Sequence, residues 1–406
     1  MAADEELEVV RLGARGDGIA EAAQGPRYLP FALPGERVRP HGVGLPDLLS
    51  APNPERRAPR CRHFGVCGGC VAQHMGERLY AEWKRGILAD ALRQRGLPAE
   101  LGPLRAIAPG SRRRAVMTGR SRRGESLLGY HPRDSDTIFD VLDCPVLVPE
   151  IVACLPALRA IVAAVAAPEV RLTVLATPAG LDVALSSARA LDAKLATRLA
   201  QIAAAERRLA RLTLNGESIA QRAVPALAFA GVEVCPPPGA FVQAVVEAER
   251  AIAEEVAAAT AKARRVADLF CGVGTLTFHL ARGATVMACD SDRVAVEALR
   301  SAARHAKGLK PIEAKVRDLM REPLSPRELE GFEAVVFDPP RAGAMAQAAA
   351  LARSRVPIVV AVSCSPGTLA RDLRSLVDGG YRLERVSAID QFLFSSHVET
   401  VACLRR

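Results

Sequence analysis

From residue 264 onward the chain repeats one pattern: a short run of apolar, largely β-branched residues, then a stretch with helical spacing. The runs are Val266-Ala267-Asp268-Leu269-Phe270, Ala284 to Cys289, Ile312 to Val316, Ala334-Val335-Val336-Phe337 and Pro357-Ile358-Val359-Val360-Ala361-Val362. Except in Ile312 to Val316, where polar and apolar residues alternate, the apolar residues stand at nearly consecutive positions, as in strands covered on both faces. Strand and helix patterns alternating in this way build a mostly parallel, doubly wound α/β sheet. The breaker Pro236-Pro237-Pro238-Gly239 marks where this domain begins, so it is assigned residues 236–406.

Upstream the pattern changes twice. Residues 1–50 carry short strand signals punctuated by Gly and Pro, which predicts a small β module. A Pro-rich linker, Ala51 to Pro59, opens a central α+β domain over 51–235, where short strands alternate with Ala-rich helices. Met75 to Arg95 has helical spacing and a Gly96-Leu97-Pro98 stop signal. The longest apolar stretch, Ile151 to Val170, is broken by Pro156, Arg159 and Pro168; it reads as a core helix and not as a membrane span.

Composition narrows the class. The chain has 406 residues, half of them apolar, which allows several cores and excludes a disordered tail protein. A net charge of +9 favours a polyanionic partner, although the Arg- and Ala-rich composition also fits a biased genome. The N-terminus is acidic and lacks an apolar core, so the expected location is cytoplasmic, with no membrane association and no obligate protein partner. In that compartment the ten cysteines read as ligands, nucleophiles and core thiols, not disulfides.

Candidate chemistry collects at strand ends, where open α/β sheets place their ligands. The first strand runs into Cys271-Gly272-Val273-Gly274, whose glycines let backbone approach a ligand, with Thr275 opening the next helix. A dinucleotide loop would want a third glycine at position 277, where Thr277 stands; this argues for a phosphate-free nucleoside such as S-adenosylmethionine. Asp290 ends the second strand and suits ribose hydroxyls, while Asp318 follows the third and suits an adenine amino group; a turn cap is the ordinary alternative for each. Asp338-Pro339-Pro340-Arg341 and Ser363-Cys364-Ser365-Pro366 end two further strands, and His397-Val398-Glu399-Thr400 lies near the end of the chain. Uracil C5 becomes nucleophilic when a thiolate adds to C6, which needs a cysteine and a base for the C5 proton. Cys364 and Glu399 fit those roles, with Asp390 the other downstream carboxylate.

A second cluster, Cys61, Cys67 and Cys70 in a C-x5-C-G-G-C pattern with Cys144 before Pro145, has the donor set of an iron–sulfur cluster or a zinc ion.

Together, Phe270-Cys271-Gly272-x-Gly274, Asp338-Pro-Pro-Arg341, Ser363-Cys364-x-Pro366 and His397-Val398-Glu399-Thr400 resemble the RNA uracil-C5 methyltransferase family across the C-terminal domain. The resemblance implies a Rossmann-like methyltransferase domain using S-adenosylmethionine, with Cys364 as nucleophile and Glu399 as proton acceptor. It also implies cofactor or pocket roles for Gln243, Phe270, Asp290, Asp318 and Asp338. Relatives often carry Asn at 275, Glu at 290 and Asn at 318 or 365, so Thr275, Asp290, Asp318 and Ser365 depart from the family pattern. One branch carries the same cysteine arrangement around a [4Fe-4S] cluster and acts on 23S ribosomal RNA. That likeness implies the cluster, RNA as partner, and a shortened OB-like module at 1–50. Arg112-Arg113-Arg114, Arg120 and Arg122-Arg123 are candidate phosphate contacts. The alternatives are a tRNA uracil-C5 enzyme, an RNA cytosine-C5 enzyme, or a non-catalytic iron–sulfur RNA-binding protein. The cytosine pattern wants a cysteine beside its Asp-x-Pro, where this chain has Arg341.

Overall fold

The computed structural model describes residues 6–39, 44–122 and 125–406. Its C-terminal part is a seven-stranded sheet: β1 (Arg265–Leu269), β2 (Thr285–Asp290), β3 (Ile312–Val316), β4 (Ala334–Phe337), β5 (Ile358–Ser363), β6 (Arg382–Ile389) and β7 (Glu399–Arg405). The spatial order is β3-β2-β1-β4-β5-β7-β6. All pairs from β3 to β5 are parallel, and β7 enters antiparallel between β5 and β6. The order reverses between β1 and β4, the switch point where a doubly wound sheet opens a cleft at its strand C-termini. β1, β4 and β5 are buried almost throughout, as their apolar runs require.

The central part is a second seven-stranded sheet. Its strands are Arg114–Arg122, Glu125–Tyr130, Phe139–Asp140, Val170–Thr177, Gly180–Ser187, Leu209–Leu214 and Glu217–Gln221. Helices Pro149–Val165 and Ala193–Ala205 share its core through Leu155, Leu158, Leu195 and Leu199. The first of these is the apolar stretch read as a core helix, with Pro156 inside it. Among the described residues no helix is long and apolar enough to cross a membrane.

The N-terminal part holds two small antiparallel sheets of three strands each, with a core of Leu7, Val9, Ala20, Leu29 and Val38. The helix Glu77–Arg93, expected from its spacing, turns its apolar face toward the C-terminal sheet. Leu88 and Leu92 sit in one cluster with Leu369 and Leu373 of the helix Pro366–Asp378, which follows Cys364. The segment after the cysteine cluster thereby becomes a wall of the C-terminal domain, and short bridges at Leu101 and Arg105 extend β6.

Candidate active site

The antiparallel entry of β7 brings distant motifs together. Val362 pairs with Val401 and Ser363 with Thr400, which brings Cys364, next after Ser363, and Glu399, next before Thr400, to the same end of the ladder. Cys364 is partly exposed, in the bend between β5 and the helix Pro366–Asp378. Burial pushes its thiol up to about 11, reinforced by the charges of Glu399 and Asp338 and opposed by Arg341. The resting group is therefore a thiol.

Glu399 is buried, and burial together with the Asp338 charge holds its carboxyl well above the usual carboxylate range. A chain of amides links the two acids. The Asp338 carboxylate accepts from Gln243 Nε2 at 2.9 Å, and Gln391 Nε2 donates both to Gln243 Oε1 and to Glu399 Oε2 at 2.7 Å. Asp338 is likewise raised, to about 7, by burial. Asp390 is committed elsewhere: it pairs with Lys84 at 2.8 Å and accepts from the Tyr80 hydroxyl at 2.8 and 3.0 Å.

The loop after β1 forms the neighbouring pocket. Phe270 adopts φ +62° at the strand end, a strained conformation for a residue with a Cβ and one that recurs at functional sites. Gly272 follows at φ +54°, and its N–H donates to Asp290 at 2.8 Å. Gln243, Phe270, Gly272, Thr275 and Asp338 line one small cavity with Phe241 and Asp268. Gly274 lies behind it: at φ +94° its hydrogen faces Phe278 and Leu299, and a Cβ there would stand 2.8–2.9 Å from them. Asp290 also accepts from Asp292 N, so it shapes this loop. Asp318 takes the turn-cap position, accepting from Met320 N and Arg321 N, and does not line the cavity.

Asp268 escapes the motif reading because it lies inside an apolar strand. Its carboxyl is 1 % exposed, takes the Thr277 hydroxyl at 2.5 Å, and is raised to about 7 by burial and by Asp338 and Asp290. A charge inside a buried strand was the available signal. Gln391 carries no such signal, since an uncharged amide beside a carboxylate is ordinary in a loop. Three carboxylates converging on one loop make a poor anion site and a good one for a cation, which agrees with the missing third glycine.

Cys61, Cys67, Cys70 and Cys144 line a single cavity of about 370 Å³. Burial raises the Cys67, Cys70 and Cys144 thiols, and the neighbouring sulfurs raise them further. Among the described residues no three His, Cys, Asp or Glu side chains are grouped tightly enough to hold a single metal ion. The four cysteines therefore share a cavity without converging on a point. Arg341 and His397 line the same cavity.

The arginine cluster is mostly structural. Arg113 is buried in an ion pair with Glu249 at 2.6 Å, and Arg114 lies over the Phe241 ring while bonding Ala240 O. Arg112 bonds Arg114 O and packs over Phe392, and Arg120 bonds Pro168 O. These contacts brace the central sheet against the C-terminal domain, so Arg113 and Arg114 are not free phosphate contacts. Arg123 and the Arg122 side chain lie outside the described residues.

Residues 186–406 match the tRNA (uracil-5-)-methyltransferase family. The chain is 48% identical to an RNA methyltransferase of Rhizobium meliloti over 410 residues, 98% of this chain and 99% of the relative. It is 31% identical over 432 residues, 99% of this chain and 96% of the relative, to the 23S rRNA (uracil(1939)-C(5))-methyltransferase RlmD of Alkalilimnicola ehrlichii. The Pyrococcus abyssi tRNA (uracil-54, C5)-methyltransferase, solved with S-adenosyl-L-homocysteine, shares the fold at TM-score 0.74 and 22% identity, over 98% of this chain and 99% of that one. The sheet order, the strand-end motifs and these matches agree: the chain belongs to the tRNA (uracil-5-)-methyltransferase family of S-adenosylmethionine-dependent RNA methyltransferases.

Proposed function

We propose that this chain methylates uridine C5 in RNA through a covalent bond between Cys364 Sγ and uracil C6. The observation that carries the reading is that Cys364 and Glu399 lie at the same end of the β5–β7 ladder, close enough for the Glu399 charge to act on the Cys364 thiol. Cys364, once its thiol proton has passed to solvent, adds to C6 as the thiolate, and the C5=C6 electrons make C5 a carbon nucleophile. After C5 has taken the methyl group, Glu399 removes the C5 proton, the double bond re-forms and the Cys364 thiolate leaves. Arg341 is the cation nearest the nucleophile and favours its ionised form.

S-adenosylmethionine, when bound, supplies the methyl group on a sulfonium cation. Gln243, Phe270, Gly272, Thr275 and Asp338 would hold it, with Gly274 keeping the loop packed and Asp290 setting the loop's shape. A cation against Asp338 favours ionisation of both Asp338 and Glu399, which a base must have. Asp318 contributes through its turn.

We read the target as 23S ribosomal RNA and the four-cysteine cavity as the seat of a [4Fe-4S] cluster, with Cys61, Cys67, Cys70 and Cys144 as ligands. Support comes from the four cysteines that line one cavity of about 370 Å³ and from the relative named for that RNA. The N-terminal sheets at 1–50 and the central domain at 51–235 would bind RNA around the catalytic domain at 236–406.

Glu399→Gln, assayed on ordinary uridine RNA, should accumulate a methylated RNA adduct linked to Cys364, visible on a denaturing gel. Cys364→Ala should form no adduct and no product. Turnover by Cys364→Ala would overturn the mechanism. Mapping 5-methyluridine across 23S ribosomal RNA and tRNA, with and without the gene, decides the target.

A further inference from the structure

We infer that Gln391 is a positioning residue for the base: its amide clamps one oxygen of Glu399 and leaves the other free to accept the C5 proton. This rests on Glu399 as the base. Gln391 is 2 % exposed and its Nε2 reaches Gln243 Oε1 and Glu399 Oε2, each at 2.7 Å. Both acceptors require a donor, which fixes the orientation of the amide. Glu399 Oε2 is thereby occupied, whereas Glu399 Oε1 has no partner among the described residues. The carbonyl Gln391 Oε1 is likewise buried and unpartnered. Both are buried acceptors whose donors would come from substrate or solvent.

The clamp has a second consequence. Gln243 spends its other amide end on Asp338, in the cofactor pocket, so Asp338, Gln243, Gln391 and Glu399 form one hydrogen-bonded line from cofactor to base. A donor to a carboxylate favours its charged form, and the Gln391 amide pulls the Glu399 carboxyl down against the raising effects of burial and Asp338. The charged or titratable groups facing Glu399 are Asp338 from the end of β4 and Cys364 from the end of β5, with Arg341 beyond the thiol.

The test uses Gln391→Met, which keeps length but loses the donor, and Gln391→Glu, which is close in shape and adds negative charge. Both should accumulate the Cys364-linked methylated adduct on uridine RNA, with release slowed about 10- to 100-fold at neutral pH, the loss of one charge-assisted hydrogen bond. Removing the donor raises the Glu399 carboxyl, so the acid limb of the release rate should move to higher pH and alkaline buffer should restore release. Release should slow more than methyl transfer in a single turnover, because Glu399 loses its donor directly while Gln243 keeps its bond to Asp338. Wild-type release in either folded variant, or equal slowing of transfer and release with an unmoved pH profile, would overturn the inference. If Glu399→Gln traps adduct while both Gln391 variants release normally, only this inference fails. If Glu399→Gln itself releases normally, the base assignment fails first.

Discussion

Lys84 Nζ lies 2.8 Å from Asp390 Oδ1, and both side chains are buried, 0 % and 1 % exposed. The pair joins the helix that follows the cysteine cluster to the loop that carries Gln391 and leads to Glu399. Lys84 also donates to the carbonyls of Phe392 and His397, and the Tyr80 hydroxyl bonds both Asp390 and Phe394 N. From the cysteine side, Val71 N and Ala72 N donate to Phe394 O. The loop from Asp390 to His397 is thus held on one side by the segment that follows the cysteines. Burial works against the charged form of both partners, lowering Lys84 and raising Asp390, so the pair is worth most as a device for fixing one loop geometry.

Lys84→Met should leave Asp390 buried without its cation. The expected cost is about 3–5 kcal/mol of stability, read as a lower denaturant midpoint. Lys84→Met combined with Asp390→Leu, which replaces the whole pair by apolar side chains, should recover most of that stability but not the release rate, because the three loop carbonyl and hydroxyl bonds are gone. Full recovery of both would show that the pair serves stability alone.

The nucleophile's ionisation gives a second measurement. With the Cys364 thiol raised to about 11, its alkylation by iodoacetamide, followed by peptide mass spectrometry, should rise about tenfold per pH unit through the alkaline range. Arg341 favours the thiolate, so Arg341→Ala should move that curve to higher pH. A curve that reaches its plateau near neutral pH in the ligand-free protein would contradict the burial argument.

The parts legible in the sequence were those that a linear pattern can encode. Apolar runs pointed to β1, β2, β4 and β5, and residue types at strand ends singled out Cys364, Asp338 and Gly272 as candidates. Two things were hidden. Asp318 looked like a ligand position but caps its own turn, because a carboxylate two residues before a free N–H serves either use. The Lys84–Asp390 and Gln391–Glu399 contacts depend on how β6 and β7 return into the sheet, and the first of them spans over 300 residues of chain. The three consecutive arginines after Ser111 were misleading for a related reason: just before the strand Arg114–Arg122 begins, the chain turns the Arg113 side chain inward to an ion pair with Glu249.

Gly274 tests the cofactor loop. Any side chain there meets Phe278 and Leu299 at 2.8–2.9 Å and must also adopt φ +94°. Gly274→Ala should destabilise by about 1–3 kcal/mol and weaken S-adenosyl-L-homocysteine binding by calorimetry. Gly272→Ala has open space around it and should cost less stability, with the loss confined to strain at φ +54°. Equal effects of the two substitutions would count against a packing role for Gly274.

The cysteine cavity yields a prediction that does not depend on turnover. Protein purified without oxygen should be brown and contain about four irons per chain, the stoichiometry of a four-thiolate cluster. Cys67→Ser or Cys70→Ser should lower iron and solubility together. Stoichiometric zinc without iron or sulfide in such a preparation would overturn the cluster assignment.

Asp268 links pH to stability in the ligand-free protein. Its folded carboxyl keeps a proton to about 7, against an ordinary value near 3.8, because burial and the charges of Asp338 and Asp290 oppose ionisation. The folded state therefore binds more protons than the unfolded chain between those limits. Stability from this group is fully present below the lower value and is lost as pH rises through the upper one. Other buried acids share the trend, so the informative quantity is the difference between wild type and Asp268→Asn, which keeps an acceptor for the Thr277 hydroxyl but cannot ionise. Melting curves should show the variant gaining on wild type as pH is raised from acid to slightly alkaline. A cationic cofactor analogue such as sinefungin should narrow that gap more than neutral S-adenosyl-L-homocysteine does, because positive charge beside Asp338 offsets the repulsion among the three carboxylates. A gap independent of pH, or one that both ligands change equally, would mean that Asp268 shapes the loop without contributing its charge.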